Sequence, residues 1–500
     1  MAPYFLRNLI PRKEKRAEAR PLLAVLAELT WVQWALFFSG WLSWTCDGID
    51  FFSVSLSISR LQVQFNKSTH DITTAITLTL LFRTVGAIIF GILSDRFGRK
   101  WPLVANLVII AVLQLGGGFV QTFKQFLAVR SLFGIGMGGV WGLAASTALE
   151  NLPVEARGLA SGILQQGYAV GYLLAACINL TLVPDTKTTW RSLFWAAAGI
   201  SMFAAVVRAV LPESEVFLRA KAIRKAEGTS MSKATKIFVQ ESKAMLKRHW
   251  LLCIYAVILM TGFNFLSHGS QDLYPTYLRE SKNFSPHNAT VATIIGNCGA
   301  VAGGLVAGYM TFIPLWILPT SFGALAAGAF CIQFGVQGAW GVVRLLRFSS
   351  AIIRPQSSSQ IPIQLAEMSP PAFRATFPGV TYQLGNMVSS AAAQIEATGG
   401  ENLRTTIIKD GTLTDVPDYA TVQGIFIGVV AAFVVFTTII GPENHGSHFE
   451  KHKAAFQEGA AREDAVMIEE EDSPSKEGSR PTSLENEKGD RNEKRSIDRV

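Results

Sequence analysis

The sequence predicts an all-α membrane protein built from two six-helix halves. Of its 500 residues, 49% are hydrophobic and only 16% are charged, whereas soluble domains carry about a quarter charged residues. The charges concentrate in residues 1–30, 213–249 and 442–500, with long apolar runs between them. A hydrocarbon core of ~30 Å needs about 20 apolar residues per helix, and runs this long cross lipid as helices. The net charge of +8 fits basic cytoplasmic loops, so it does not indicate nucleic-acid binding.

Five regions follow one another along the chain. Residues 1–30 lack the apolar core of a signal peptide and form a cytoplasmic segment. A first bundle (31–212), a charged cytoplasmic linker (213–249) and a second bundle (250–441) follow. Residues 442–500 have few apolar side chains and form a disordered cytoplasmic tail. The apolar runs of the two bundles lie near 31–60, 71–94, 101–121, 124–149, 158–183, 190–211, 250–278, 289–311, 379–397 and 421–441.

The two bundles share a short motif with the same spacing. Residues 150–162 read ENLPVEARGLASG, and residues 367–379 read EMSPPAFRATFPG. In both, a Glu is followed by Pro and then by Arg at matching positions. The matching residues are Glu150, Pro153 and Arg157 in the first bundle and Glu367, Pro370 and Arg374 in the second. Such an internal repeat indicates a duplicated transporter of six plus six helices.

The second bundle departs from this repeat in two places. Residues 344–361 lengthen the spacing between Trp340 and Glu367 relative to the first bundle, so we interpret them as an insertion from a retained intron or a gene-model error. A charged loop is expected near residue 311, yet the sequence carries no charge from 288 to 343. The ninth helix region is therefore interpreted as truncated, which leaves about 11–12 spans.

A basic turn follows the second apolar run. Residues 91–100 read GILSDRFGRK and resemble the signature loop of the major facilitator superfamily. The matching residues are Gly91, Asp95, Arg96, Gly98, Arg99 and Lys100. The acid can pair with a neighbouring helix end or with an Arg and thereby stabilise one conformation. The alternative is a basic cytoplasmic loop with no further role. The resemblance implies the major facilitator fold.

A polar stretch interrupts the apolar run that begins at residue 250. Only thirteen mostly apolar residues (251–263) precede it, too few to cross a membrane, so the span must include the polar residues. Asn264, His268 and Gln271 fall on one helical stripe near the midplane, with Ser267 at its edge and Asp272 extending it. Such an arc predicts a water-accessible substrate cavity. Hydrogen bonds between helices are the alternative for its neutral members.

Arg83 and Arg130 lie well inside predicted spans of the first bundle. Arg130 begins the pattern RSLFGIGMGG, which resembles the Arg-x-x-x-Gly-x-Gly motif of the same superfamily. An Arg within a span is costly and marks an anion or proton pathway. The alternative is that Arg130 extends to the outer interface. Arg83 is open to the same two interpretations.

The polar stretch also resembles the signature of the fungal Jen-type lactate/pyruvate:proton symporters, which are grouped with the sialate:proton symporters. Asn264-x-x-Ser267-His268-x-Ser270-Gln271-Asp272-x-x-x-Thr276 fills every defined position of that signature. The family's Tyr-Gln-Leu-Gly-Asn motif is present at residues 382–386. The resemblance implies a substrate path lined by Arg130, Asn264, Ser267, Gln271, Gln383 and Asn386, with His268 and Asp272 as proton-coupling residues.

The resemblance implies proton-coupled symport of short monocarboxylates across the plasma membrane by a multi-pass carrier. No cofactor or metal is expected, because the five cysteines all lie in apolar stretches and the proton is the coupling ion. No nucleophile accompanies His268 and Asp272, so an enzyme is not expected. A carrier of dicarboxylates or sialic acid, or a non-transporting carboxylate sensor, remains an alternative. The expected partners are the carboxylate, the lipid bilayer and, through the tail, the trafficking or ubiquitin machinery.

Overall fold

The computed structural model describes residues 22–215, 217–218, 222, 231–305, 333, 376–409 and 412–440. Helix α1 Leu22–Ala27 precedes the first bundle. The helices of the first bundle are α2 Trp31–Phe65, α3 Thr69–Phe97, α4 Lys100–Gly117, α5 Phe123–Met137, α6 Val140–Leu149, α7 Val154–Asp185 and α8 Trp190–Val210. Further along lie α9 Met231–Arg248, α10 Trp250–Gln271, α11 Tyr274–Glu280, α12 Pro286–Leu305, α13 Thr376–Ser389, α14 Ala392–Asn402 and α15 Tyr419–Ile440. Two strands, β1 Arg404–Lys409 and β2 Thr412–Pro417, precede α15.

Polar side chains fix where several helices begin. Thr30, Ser68 and Thr122 each accept a hydrogen bond from a backbone N–H three residues later. In return, the side chains of Gln33, Asp71 and Gln125 accept a hydrogen bond from the backbone N–H of Thr30, Ser68 and Thr122. These capping boxes satisfy backbone N–H groups that have no partner inside a helix.

Seven segments of the described residues are long and apolar enough to cross a membrane. They are Thr69–Phe97, Lys100–Gly117, Phe123–Leu149, Leu159–Asp185, Trp190–Val210, Trp250–Glu280 and Tyr419–Thr438. The helix α2 also covers the predicted first span, although it carries the buried acids Asp47 and Asp50. The all-α membrane fold class is confirmed, and the protein is a multi-pass membrane protein.

Three predicted spans each consist of two helices. The run near 124–149 is broken at Gly138–Gly139, and the run near 379–397 is broken between Ser389 and Ala392. The run near 250–278 is broken just before Pro275, which lies in the first turn of α11. Proline has no backbone N–H, so it cannot bond the carbonyl four residues earlier. That carbonyl belongs to Gln271, and it accepts from the Tyr172 hydroxyl at 3.3 Å instead.

Glycines bring the helices of the first bundle into backbone contact. A Cβ at Gly134 of α5 would overlap the carbonyl oxygen of Thr79 on α3, and one at Gly138, directly after α5, would overlap that of Arg83. A Cβ at Gly86 of α3 would likewise overlap the carbonyl oxygen of Ile135. The glycine-rich motif after Arg130 therefore packs α5 against α3, as small residues do between membrane helices.

Among the described residues, the most extensive seams between the two bundles are α3 with α13 and α7 with α12. At one end of the first seam, Gln394 Nε2 donates to the carbonyl oxygen of His70 at 3.2 Å and to the Thr73 and Thr74 hydroxyls at 3.0 and 3.2 Å. At its other end, the Thr376 hydroxyl donates to the Asp95 carboxylate. Contacts therefore join the bundles at both ends of α3.

A β-hairpin separates α14 from α15, and we did not predict it from the sequence. Its strands pair antiparallel, from Arg404 opposite Pro417 to Lys409 opposite Thr412. The sequence contains the reason, because RTTIIK and TLTDVP are rich in β-branched residues and are joined by Asp-Gly. That dipeptide favours tight hairpin turns.

Several predictions lie outside the described residues. They concern the insertion at 344–361, the loop expected near 311, the second copy of the repeat motif (Glu367, Pro370 and Arg374) and the tail at 442–500.

Candidate functional site

His268 lies at the centre of a buried hydrogen-bond chain between helices α10 and α13. Its Nδ1 is 3.1 and 3.3 Å from the two carboxylate oxygens of Asp272, which lies one helical turn further on and caps the end of α10. Its Nε2 is 3.1 Å from Asn386 Oδ1 on α13. All three residues are buried, so solvent does not screen these contacts. The predicted proton-coupling pair is thus in direct contact with a predicted substrate residue.

Amide side chains extend this chain across α13. Asn386 Nδ2 donates to Gln383 Oε1 at 2.8 Å. The Gln383 carbonyl oxygen accepts from the Thr84 hydroxyl of α3 at 2.9 Å, which connects the chain to the first bundle. Asn264 Nδ2 donates to the Tyr382 carbonyl oxygen at 3.2 Å. Four predicted site residues, Asn264, His268, Gln383 and Asn386, therefore meet at the α10–α13 contact.

The amides can match two protonation states of His268. In the present arrangement both ring nitrogens face oxygen atoms, which requires a doubly protonated ring if both are to donate. If the Asn386 amide turns, its Nδ2 donates to a neutral ring. Gln383 Nε2, which has no hydrogen-bond partner among the described residues, would then donate to Asn386 Oδ1. The pair of amides can thus follow a proton change without losing hydrogen bonds.

Arg83 supplies a cation to this site from the first bundle. Its Nη2 is 3.2 Å from Asp47 Oδ2 on α2, and both side chains are buried. The guanidinium lies 5.2 Å from the centre of the Phe51 ring, whose centre is 5.4 Å from that of the His268 ring. Phe51 is therefore interposed between the Arg83–Asp47 pair and the His268–Asp272 pair.

Aromatic rings enclose the site on the side of the first bundle. Trp141 stacks on Tyr382 at 4.6 Å between ring centres, and Trp44 stacks on Tyr168 at 4.9 Å. Trp44 also meets Tyr382 edge-on at 6.0 Å. These rings exclude water and strengthen the electrostatic interactions of the charged groups.

Arg130 does not join this group. Its Nη1 donates to Gln114 Oε1 at 2.9 Å, and its Nη2 donates to the Asp50 carbonyl oxygen at 3.2 Å. The guanidinium lies 4.5 and 5.3 Å from the ring centres of Phe133 and Phe194. These contacts place Arg130 among α2, α4, α5 and α8, inside the first bundle. It does not extend to the outer interface, because it is buried.

Gln271 and Ser267 lie elsewhere on the polar arc of α10. Gln271 Nε2 donates to Gln333 Oε1 at 2.9 Å, and Gln333 Nε2 donates to the Ser270 carbonyl oxygen at 2.9 Å. The Ser267 carbonyl oxygen accepts from the Ser270 hydroxyl at 3.0 Å. Gln271 therefore bonds to Gln333 and not to His268. Ser267, which precedes His268 in the sequence, is also buried.

The basic turn between α3 and α4 forms a charge cluster. Arg99 Nη2 lies 2.8 Å from Glu150 Oε1, and its Nη1 lies 3.2 Å from Asp95 Oδ1. Burial alone would lower the pKa of Arg99, but attraction to Glu150 and Asp95 raises it above its ordinary value. Glu213 accepts from the backbone N–H groups of Arg99 and Lys100 at 3.0 and 3.1 Å. The predicted acid–arginine pairing is therefore present.

The remaining motif residues support this turn. Gly98 has a φ of +100°, a backbone conformation that residues with a side chain rarely adopt. Gly91 packs near Thr376, and the Arg96 guanidinium lies 5.1 Å from the Phe97 ring centre. In the repeat motif, Arg157 donates from Nε to the Leu152 carbonyl oxygen at 2.8 Å, and Pro153 precedes α7.

Loss of the Glu150 carboxylate is expected to destabilise the folded protein. Glu150→Gln replaces the ionic contacts with Arg99 by neutral ones, and a hydrogen bond to a charged group contributes about 1.5–3 kcal/mol. The thermal midpoint of the detergent-solubilised protein should fall. Asp185→Asn, a substitution at an exposed acid, is the matched control. Equal midpoints for both variants would contradict this prediction.

Three buried acids escaped the sequence analysis. Asp47 pairs with Arg83, Asp50 accepts from the Ser201 hydroxyl at 2.8 Å, and Glu396 accepts from Gln423 Nε2 at 3.0 Å. Asp47 and Asp50 lie within the apolar run 31–60, and an ionisable residue in such a run is itself a signal of function.

The chain is similar to several known transport proteins. The carboxylic acid transporter protein homolog of Saccharomyces cerevisiae is 32% identical over 447 residues, which are 84% of this chain and 69% of that protein. The cis,cis-muconate transport protein of Acinetobacter baylyi is 28% identical over 276 residues, 55% of this chain and 65% of that protein. The sialic acid transporter NanX of Escherichia coli is 26% identical over 276 residues, 55% and 64% respectively.

Solved structures agree on the fold. The xylose transporter XylE from E. coli, in a partially occluded inward-open conformation, has a TM-score of 0.55 and 17% identity, covering 81% of this chain and 97% of XylE. Residues 34–393 match the family model of the Major Facilitator Superfamily. This match agrees with the helical fold and with the buried polar groups between the bundles. The chain therefore belongs to the Major Facilitator Superfamily, a family of membrane transporters and not of enzymes.

Proposed function

We propose that this protein carries short monocarboxylates such as lactate and pyruvate, together with protons, across the plasma membrane by alternating access. One observation carries the proposal. The His268–Asp272 pair of the second bundle faces the Arg83–Asp47 pair of the first bundle across Phe51, in a buried centre. A carboxylate bound in this centre can accept hydrogen bonds from Arg83 and from protonated His268. A proton can bind to Asp47 or to Asp272.

Charge balance links the two cargoes. With His268 doubly protonated, the site holds two cations and two anions. A carboxylate arriving alone would add an uncompensated negative charge, which costs several kcal/mol in a low-dielectric interior. A proton taken up by Asp47 or Asp272 cancels that charge and releases Arg83 or His268 to bind the carboxylate. The loaded and the empty site are then both neutral, so both can change orientation.

The names of relatives support the class of cargo. Those names mention a carboxylic acid, muconate and sialic acid, all of which carry a carboxyl group. The polar groups at the α10–α13 contact are few and lie close together. We infer that they suit one carboxyl group with a small neighbouring hydroxyl or keto group.

Uptake of lactate into proteoliposomes is expected to require a proton gradient. Purified protein is reconstituted, labelled lactate is supplied outside, and internal pH is followed with a trapped dye. We expect uptake to rise as the outside is made more acidic, with protons entering alongside lactate. Lactate uptake that is indifferent to the gradient would contradict proton coupling.

A competition panel separates the alternatives. Pyruvate and acetate should compete with lactate, whereas succinate, muconate and sialic acid should compete less. A dicarboxylate or sialic-acid carrier predicts the reverse order. Saturable lactate binding without any flux would favour a carboxylate sensor. A variant that lacks residues 344–361, measured beside the unmodified protein, tests whether this segment affects the flux of lactate.

A further inference from the structure

Glu396 is a buried carboxylic acid that the proposed transport cycle does not yet use. It lies on α14 and is 0% exposed. Its Oε2 accepts from Gln423 Nε2 on α15 at 3.0 Å. Its Oε1 has no hydrogen-bond partner among the described residues. An ionised carboxylate here would rely on a neutral amide, which does not offset the cost of burying a charge.

The unpartnered oxygen of Glu396 lies against the polar turn of α10. A Cβ placed at Gly269 would overlap the Phe426 ring and would lie 3.1 Å from Glu396 Oε1, so the glycine lets the ring and this oxygen both approach the helix. Gly269 directly follows His268 and is three residues before Asp272, which places Gly269 and Asp272 on neighbouring faces of the helix. Glu396 therefore approaches the helix turn that carries the His268–Asp272 pair.

Two ionisable residues lie on the turn that Glu396 approaches. The elements packed against α14 are α3, α10, β2 and α15. Gln423 of α15 is the neutral hydrogen-bond partner of Glu396, whereas His268 and Asp272 flank Gly269 at the end of α10. Two nearby acids in a low-dielectric interior repel each other when both are ionised, so one of them retains a proton.

We propose that Glu396 is a second proton-binding residue of this carrier, whose protonation is coupled to that of Asp272. The inference rests on the proposed proton-coupled transport. When Asp272 is ionised and bonded to His268, Glu396 holds its proton. When a carboxylate binds, Glu396 passes its proton to Asp272, so that one O–H bond breaks as the other forms. Glu396 then regains a proton from water, and the two acids together gain the one proton that accompanies the carboxylate.

A structural role is the competing explanation, and Glu396→Gln separates the two. Glutamine keeps a carbonyl oxygen that accepts from Gln423, so the contact between α14 and α15 survives. It cannot bind or release a proton. A residue that only joins two helices would tolerate this change without any effect on pH dependence.

Infrared difference spectroscopy of the purified protein reads Glu396 directly. A pH step, with and without lactate, is expected to produce a carboxylic-acid C=O band that Glu396→Gln removes. Asp272→Asn should shift the pH at which this band changes. Glu401→Gln, at an exposed acid of the same helix, is the control and should leave the band unaltered. A spectrum of Glu396→Gln identical to that of the unmodified chain, at every pH and with lactate, would overturn the inference.

Transport measurements complete the test. In proteoliposomes, Glu396→Gln is expected to change the pH profile of lactate uptake, while Glu401→Gln preserves it. If lactate uptake is proton-coupled and Glu396→Gln has the unmodified pH profile, the inference fails and the proposed function stands. If the chain carries no lactate, the proposed function fails, and the infrared titration still decides whether Glu396 and Asp272 share their protons.

Discussion

The Asp272→Asn variant is expected to lose proton-driven accumulation of lactate while retaining lactate exchange. Asparagine preserves the shape of the side chain and can still accept a hydrogen bond from His268 Nδ1, which lies 3.1 Å from the present carboxylate. It cannot carry a proton. Substrate can still move in both directions, but the proton gradient no longer pulls it inward.

The magnitude follows from the gradient that is imposed. One pH unit corresponds to about 1.4 kcal/mol per proton, or roughly a tenfold accumulation when one proton accompanies each lactate. We expect accumulation by the Asp272→Asn variant to approach equal concentrations on the two sides. Labelled lactate is measured at steady state and, separately, in exchange against unlabelled lactate. Equal loss of accumulation and exchange would contradict the role of Asp272, and Asp185→Asn is the control.

Removal of the Arg83 cation is expected to weaken substrate binding more than any change at Arg130. Because Arg83→Gln alone would leave Asp47 buried and unpaired, the test uses the double variant Asp47→Asn with Arg83→Gln, which removes both charges. A hydrogen bond to a charged group contributes about 1.5–3 kcal/mol, so the KM for lactate should rise by roughly ten- to a hundredfold. Arg83→Lys, which keeps a cation, should retain part of the affinity.

Arg130→Gln is the matched comparison. This change removes the hydrogen bonds to Gln114 and to the Asp50 carbonyl oxygen inside the first bundle. It should lower the thermal midpoint and leave the KM of the remaining folded protein close to that of the unmodified chain. An unchanged midpoint together with a raised KM would return Arg130 to the substrate path.

The sequence was sufficient to predict the fold class. Hydrophobic runs and the charge pattern predicted the membrane helices. The resemblance named Asn264, His268 and Asn386 as site residues, and the structure brings them together at the α10–α13 contact. The sequence does not distinguish the two arginines. Arg83 and Arg130 both lie in apolar runs, and the side to which each one points depends on how α3 and α5 pack, which no single-helix pattern contains.

Other features required long-range packing as well. Glu396 follows Asn386 by only ten residues, yet its relation to Asp272 depends on the room left by Gly269. The hairpin at 404–417 was predictable from its β-branched residues and the Asp-Gly between them. The long apolar runs on either side are typical of membrane helices, and the β-branched pattern of the hairpin is short beside them.

The backbone contact between α3 and α5 has a mechanical consequence. Because Gly134 and Gly138 let α5 touch the backbone of α3, Arg83 is held against the first bundle, while His268 belongs to the second. A carboxylate bound to both cations would join the two bundles. Opening toward either side would move the two cations apart, so the carboxylate would first leave the cation that binds it less tightly. The relative strength of Arg83 and His268 would then determine which bundle the substrate leaves last.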